Sequence, residues 1–407
     1  MARAAETEAA AELAAQEAAK QDREKRKAAA LAEQKRIEEA VAAALAQAAA
    51  QQGGSAGAVP AAETVPAAST TRGFGVDWSG TPERLINLFY PGQTSMEWTL
   101  VGKYHGGARP FKAGDRCTTC HEKETATFGR KMVTGEKAEA TPIPGKRHTI
   151  PVSVQAAHDA DNLYLRFQWE DAEHVPVPFV DGGKMDPDNR VKLAVMFATD
   201  KVKYAQQAGC WGTCHEDLRT MPGHPEDPAA ADTGLDVSNG VTKYIAASRT
   251  KIEEKGRRGK KLGGWDKLKD PAAIEAELAN GQFMDLLRWN ADGMVENGHI
   301  LAERVMSGGA PVEAQGWLEA GTWTVEMKRP LQPGQPGDLD LEVGKTYNFG
   351  FAIHDDYTSS RFHHVSLGYK LALDNAEAEI NAVKTEVSAP AVAPAPVAAA
   401  VPAAPAA

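Results

Sequence analysis

Apolar and polar positions begin to alternate clearly at about residue 150. Leu163, Leu165, Phe167 and Trp169 alternate with Tyr164, Arg166 and Gln168, the period-two pattern of a strand with one buried face. His158-Asp159-Ala160-Asp161-Asn162 supplies turn residues ahead of it, so 150–157 and 163–169 are expected to pair as a hairpin. Val191 to Ala198 is an apolar run. Trp323, Val325 and Met327 alternate with Thr324, Glu326 and Lys328, Phe349, Phe351 and Ile353 do the same, and Val365 to Leu371 is a further strand candidate. Helices interrupt this pattern. One is expected across residues 210–215, and another starts at Pro271 with Asp270 as N-cap and Gly281 as its stop. Several antiparallel strands with sparse helices predict a mainly β fold, an antiparallel β-sandwich with helical insertions.

The rest of the chain reads differently. Residues 1–52 are dominated by Ala, Glu, Lys, Gln and Arg with no Gly or Pro, a strongly helix-forming composition. Ile37, Val41 and Leu45 recur every fourth residue and give it one narrow apolar stripe. A long exposed helix acting as a stalk or docking arm is expected, with a solvated spacer as the alternative. Residues 53–72 form a flexible Gly/Ser/Pro linker. Residues 73–149, rich in Gly and Pro, form an irregular segment ahead of the sandwich at 150–387. The Ala/Pro-rich tail at 388–407 cannot bury a core.

Composition narrows the function classes. With 43% hydrophobic and 25% charged residues the chain is ordinary for a globular protein. Its net charge of −10, with no Lys/Arg cluster interleaved with aromatics, argues against nucleic acid as a partner and suits basic protein partners. No window reaches the roughly 18 apolar residues of a membrane span. The basic stretch 249–263 reads as a solvated loop rather than a docking patch. No Ser-His-Asp-like spacing, P-loop or dinucleotide fingerprint is present.

All four cysteines fall in two related runs, Cys117-Thr118-Thr119-Cys120-His121 and Cys210-Trp211-Gly212-Thr213-Cys214-His215. Cys-x-x-Cys-His is the attachment signature of a c-type haem. Each thiol adds across a porphyrin vinyl group, and the adjacent histidine reaches the iron. The second run has three intervening residues instead of two, a rarer spacing. Only 11 of 407 residues are histidine, so finding one directly after both cysteine pairs is not a chance pattern. A structural zinc site wants four tetrahedral ligands from separated loops, which adjacent Cys-His does not supply. A thioredoxin-like pair would follow a βαβ pattern that is missing here, and disulfides leave the histidines unexplained. Two covalently bound haem c groups are therefore expected, on Cys117, Cys120 and His121 and on Cys210, Cys214 and His215. Such attachment takes place outside the bacterial cytoplasm, which implies a periplasmic protein. The opening Met-Ala-Arg-Ala-Ala-Glu carries no apolar leader, so export is expected to depend on a segment outside this sequence.

Val154-Gln155-Ala156-Ala157-His158-Asp159, Leu163 to Phe167, Gly209 to His215, and Phe351-Ala352-Ile353-His354-Asp355-Asp356 through His363-His364-Val365-Ser366 together resemble one family. It is the haem-binding domain of the γ subunits of ethylbenzene and dimethyl sulfide dehydrogenases and of related periplasmic cytochromes c. The likeness covers about 148–375. It implies a β-sandwich that holds a haem and exchanges electrons with a partner. Those γ subunits hold a b-type haem, so Cys210 and Cys214 place this chain with the c-type branch and weaken the case for a molybdenum-enzyme partner. Residues 98–125, with Gly106-Gly107-Ala108-Arg109, are similar to a small cytochrome c module.

His121 and His215 are the proximal ligands set by the motifs. For the first haem His105 is the preferred sixth ligand, with His148 behind it. For the second, His363 or His364 is preferred and Met185 follows; Met221 and His224 lie too near His215 to reach the opposite face. His354-Asp355-Asp356 reads as a turn rather than a metal site. Two six-coordinate irons leave no open position and predict a dihaem electron carrier between a donor and an acceptor protein, held to a membrane anchor or larger complex by the N-terminal helix. An open iron would instead predict peroxidase-like chemistry. A relay subunit of a molybdoenzyme is the third reading.

Overall fold

The computed structural model describes residues 72–92, 94, 99–100, 102, 105–137, 145–172, 190–214, 245–252, 264–358 and 362–387. The expected N-terminal helix, most of the linker, the C-terminal tail, Met185, His215, Met221 and His224 lie outside the described residues, as do the side chains of Cys210 and Cys214.

The described chain is mainly antiparallel β, as the alternation predicts. Its strands are β1 (Glu83–Phe89), β2 (Thr149–His158), β3 (Asn162–Glu170), β4 (Lys192–Ala198), β5 (Arg249–Ile252), β6 (Gly264–Leu268), β7 (Met284–Asn290) and β8 (Val295–Ile300). They continue as β9 (Arg304–Val305), β10 (Glu313–Glu319), β11 (Thr322–Pro330), β12 (Thr346–His354), β13 (His363–Val365), β14 (Tyr369–Leu373) and β15 (Ile380–Lys384). The helices are α1 (Ala108–Ala113), α2 (Cys117–His121), α3 (Thr125–Val133), α4 (Ala205–Cys214) and α5 (Pro271–Ala279). Thirteen strands form one sheet in the order β10-β11-β3-β2-β1-β13-β12-β4-β7-β8-β9, with β14 on β12 and β15. β15 returns parallel to β2, so β2, β1, β13, β12, β14 and β15 close on themselves.

The expected hairpin forms as β2 and β3, from His158 opposite Leu163 to Val152 opposite Trp169. Asp270 caps α5 by accepting from the Ala273 N–H at 3.0 Å, and Gly281 follows at φ +77°. The Val365–Leu371 run splits into β13 and β14. The segment 73–149 departs from its irregular expectation at β1, which pairs with both β2 and β13 in the middle of the sheet. β7 carries no alternation because it is covered on both faces: every residue from Met284 to Asn290 is buried except the half-buried Arg288.

Two layers meet through large rings. Phe167 of β3 lies 5.1 Å from Phe351 of β12, and Trp323 of β11 stacks on Trp169 while meeting Trp289 of β7 edge-on at 5.9 Å. A buried ion pair, Arg329 on β11 with Asp285 on β7, ties the same layers together. Helices α1 to α3 are an excursion between β1 and β2. Helix α3 is seated so closely that a Cβ at Gly129 would sit 1.9 Å from the His148 carbonyl oxygen. Only glycine permits that approach.

Candidate haem site

α2 starts at Cys117 and carries the whole Cys-x-x-Cys-His run. Cys117, Cys120 and His121 are spaced i, i+3 and i+4, so they share one helical face. Cys117 packs beside Phe111, Ala208, Leu100 and Tyr204, whereas Cys120 is exposed. Burial pushes the Cys117 thiol up to about 12, with the neighbouring Cys120 adding to the effect. In the haem-free chain at pH 8, iodoacetamide is therefore expected to label Cys120 well before Cys117. Peptide mass mapping checks this, and equal labelling would contradict the burial.

The two candidate ligands of the first haem come together. The ring of His105 lies 5.9 Å from that of His121, centre to centre. His105 Nδ1 donates to the Thr99 carbonyl at 2.8 Å, and His121 Nδ1 donates to the Glu124 carboxylate at 2.8 Å. Both acceptors lack a proton to give, so each neutral ring carries its proton on Nδ1 and keeps the Nε2 lone pair. That is the arrangement in which a histidine binds a metal through Nε2 while its other nitrogen is fixed by a hydrogen bond. Metal–imidazole bonds of about 2 Å would put two coordinating nitrogens about 4 Å apart and their ring centres about 6 Å apart. The observed spacing fits one iron between them. Phe128 closes one side, edge-on to His121 at 4.8 Å and in contact with Phe89 at 6.2 Å. His148 is exposed, and its carbonyl is used by the Tyr90 N–H.

The candidates for the second haem are separated by strand geometry, since neighbouring residues point to opposite faces. His364 is fully buried, donates from Nε2 to the Arg147 carbonyl at 2.7 Å, and meets Tyr90 edge-on. Burial, reinforced by the Lys146 ammonium, holds its pKa well below the usual value and keeps it neutral. Its Nε2 is engaged there, while its buried Nδ1 has no hydrogen-bond partner among the described residues. His363 is half-buried on the other face, its ring 4.6 Å from that of His354 on β12. Asp355 pairs with Arg147 and Asp356 follows at φ +59°, the turn expected from the sequence. Positions 210 and 214 lie four apart on α4, where Gly209 breaks the helix at φ +68°.

Glu124, Phe128 and Arg116 escaped the sequence reading. Glu124, three residues after the motif histidine, was the legible signal, because i,i+3 residues meet on a helix. The local charge also differs from the whole. Residues 105–137 hold seven Lys/Arg against four Asp/Glu, in a chain of net −10. Arg109, Lys112 and Lys123 around the motif are exposed.

A thioether motif on a helix, two neighbouring imidazoles each fixed through Nδ1, and a β-sandwich behind them define a c-type cytochrome. The chain belongs to the ethylbenzene dehydrogenase family, whose model matches residues 77–366. It is 42% identical over 312 residues to cytochrome c-552 of Stutzerimonas stutzeri, covering 76% of this chain and 90% of that protein. It is 31% identical over 309 residues to cytochrome c-551 of Rhodocyclus tenuis, covering 76% of this chain and 99% of that one. No helix among the described residues is long and apolar enough to cross a membrane.

Proposed function

We propose that the chain is a periplasmic dihaem c-type cytochrome that passes electrons between redox partner proteins. The 5.9 Å pairing of His105 with His121 carries this reading, because it would supply two protein ligands to one iron and leave no coordination site for a substrate. Cys117 and Cys120 would hold the first haem covalently, and Cys210, Cys214 and His215 the second, with His363 or His364 as its further ligand. A haem held this way supplies one-electron redox chemistry, and two histidines favour a lower potential than histidine with methionine. Glu124 and the Thr99 carbonyl keep the two imidazoles oriented and their Nε2 atoms available. Phe128 and Phe89 keep water from one side of His121.

The matured protein is expected to give two haem equivalents per chain in a pyridine haemochrome assay, and one after Cys210→Ala with Cys214→Ala. One equivalent in the parent chain would remove the dihaem reading. The reduced protein should keep its low-spin spectrum under carbon monoxide, and a shift for both haems would favour an enzyme with open iron.

The exposed cations bordering the first motif suit an acidic partner face, the reverse of what the net charge alone suggests. Lys112→Glu with Lys123→Glu is expected to slow electron transfer to an acidic acceptor by about tenfold at low salt and little at 0.5 M, since screening shortens the range of exposed charges. Stopped-flow rates against ionic strength test it, and a rate that rises in the variant at low salt would assign the face to a basic partner.

A further inference from the structure

The two haem-attachment sequences lie 93 positions apart in the chain, from Cys117 to Cys210, yet they meet at one backbone point. Arg116, immediately before the first cysteine, donates from Nη2 to the Gly368 carbonyl at 2.7 Å and pairs with the Glu379 carboxylate at 2.6 Å. Glu379 is itself held by the Lys370 N–H at 2.8 Å, so the guanidinium is anchored to the β14 margin of the sandwich. Gly368 is also where the second sequence is seated. A Cβ on Gly209, the residue before Cys210, would lie 2.4 Å from the Gly368 Cα, so the two backbones touch. Beside this junction Phe111 of α1 packs on Ala208 and on Tyr204, with ring centres 5.5 Å apart, and Cys117 joins the same cluster.

We propose that Arg116 is a positioning residue that locks the two attachment sequences to one another through Gly368, so that the two haems are held as a pair of fixed separation and tilt. The inference rests on the dihaem reading. Arginine suits the task because the two N–H groups of its Nη2, fixed in the guanidinium plane, reach a carbonyl and a carboxylate at once, and it stays charged. Without it, α2 would be tied to Gly368 only by side-chain packing, and the first haem could move relative to the second. Lysine offers a flexible point charge without the planar orientation, and replaces these contacts only in part.

The test is Arg116→Gln in the full matured chain, with Arg116→Lys as the conservative variant. Haem content should stay at two equivalents per chain. The parent is expected to show a two-signed couplet in Soret-region circular dichroism, the sign of two transition dipoles in fixed orientation. Its amplitude should fall to less than about half in Arg116→Gln and recover in part in Arg116→Lys, because the couplet depends on the relative orientation of the two dipoles, which averages out when one haem is free to tilt. The low-spin spectrum of each haem should not change. If Arg116→Gln does not mature, Glu379→Gln loosens the same guanidinium and carries the same expectation. Two haems with an unchanged couplet would overturn the proposal, as would a parent with two haems and no couplet. A single haem in the parent would instead overturn the dihaem reading beneath it, which the haem assay reports separately.

Discussion

Replacing His105 with alanine is expected to convert the first haem from a low-spin, six-coordinate centre into a high-spin one that binds carbon monoxide. The reason is geometric. His105 is the histidine whose ring lies 5.9 Å from that of His121, with Nδ1 held by the Thr99 carbonyl and Nε2 left over. Alanine removes that nitrogen and leaves His121, with Cys117 and Cys120, to hold the group. On the proposed dihaem reading, the change should appear in the Soret and charge-transfer bands of one haem in two, while the other keeps its spectrum. His105→Met gives the complementary result, an upward shift of one midpoint potential within the roughly 0.8 V range that axial ligands command. A spectrum of His105→Ala identical to the parent's under carbon monoxide would show that the sixth ligand comes from elsewhere.

The second large effect lies far from iron. Arg329→Met is expected to destabilise the fold by about 3–5 kcal/mol, because it leaves the Asp285 carboxylate buried without its counter-charge. Both side chains are nearly inaccessible, at 3% and 0%. Arg329 also donates to the Leu339 carbonyl at 2.6 Å, and Asp285 accepts from the Leu339 N–H at 2.8 Å, so the pair ties two layers and a loop together. A loss of that size is a large part of the roughly 5–15 kcal/mol by which a domain is stable. Urea denaturation at pH 7 measures it. Asp285→Leu combined with Arg329→Met should lose much less than Arg329→Met alone, since an apolar pair of similar volume often replaces a buried ion pair at little cost. Burial already pushes the Asp285 carboxyl upward against the pull of Arg329. In Arg329→Met that push is unopposed, so the carboxyl keeps its proton in the folded state to higher pH than in the unfolded chain. The variant's stability is therefore expected to fall as pH rises above about 4. A single variant within 1 kcal/mol of the parent, on the scale of an exposed pair, would contradict this account.

Alternation of apolar with polar or small residues made β2, β3, β11 and β12 legible, although β11 from Trp323 to Met327 and β12 from Tyr347 to Ile353 are buried on both faces. β7 was not legible, since Met284–Asn290 is covered on both sides and reads as a short apolar run with a charge inside it. β1 was hidden by its neighbourhood. Glu83–Phe89 sits in a Gly- and Pro-rich stretch and owes its place to pairing with β2 and β13, both distant in the chain. Leu85 on β1 is 63% exposed, so even its apolar residues do not mark one clean face.

The attachment chemistry was written locally. A thioether haem needs two thiols and a histidine within a few residues, so the candidates Cys117, Cys120 and His121, and Cys210, Cys214 and His215, are written in two short runs. The six-residue and five-residue spacings do not depend on the rest of the fold. What completes a site is decided by chain that returns from elsewhere, so His105 and His148 for the first haem, and His363 and His364 for the second, could only be ranked on paper. Tertiary structure gave the candidates different surroundings: the His105 ring lies 5.9 Å from that of His121, whereas His364 is buried with Nε2 on the Arg147 carbonyl. It also brought Arg116 and Gly209 to the same glycine. Periodicity records which side of a segment is buried, but the partner on that side is chosen by the sum of long-range packing and hydrogen bonds, which no local stretch contains.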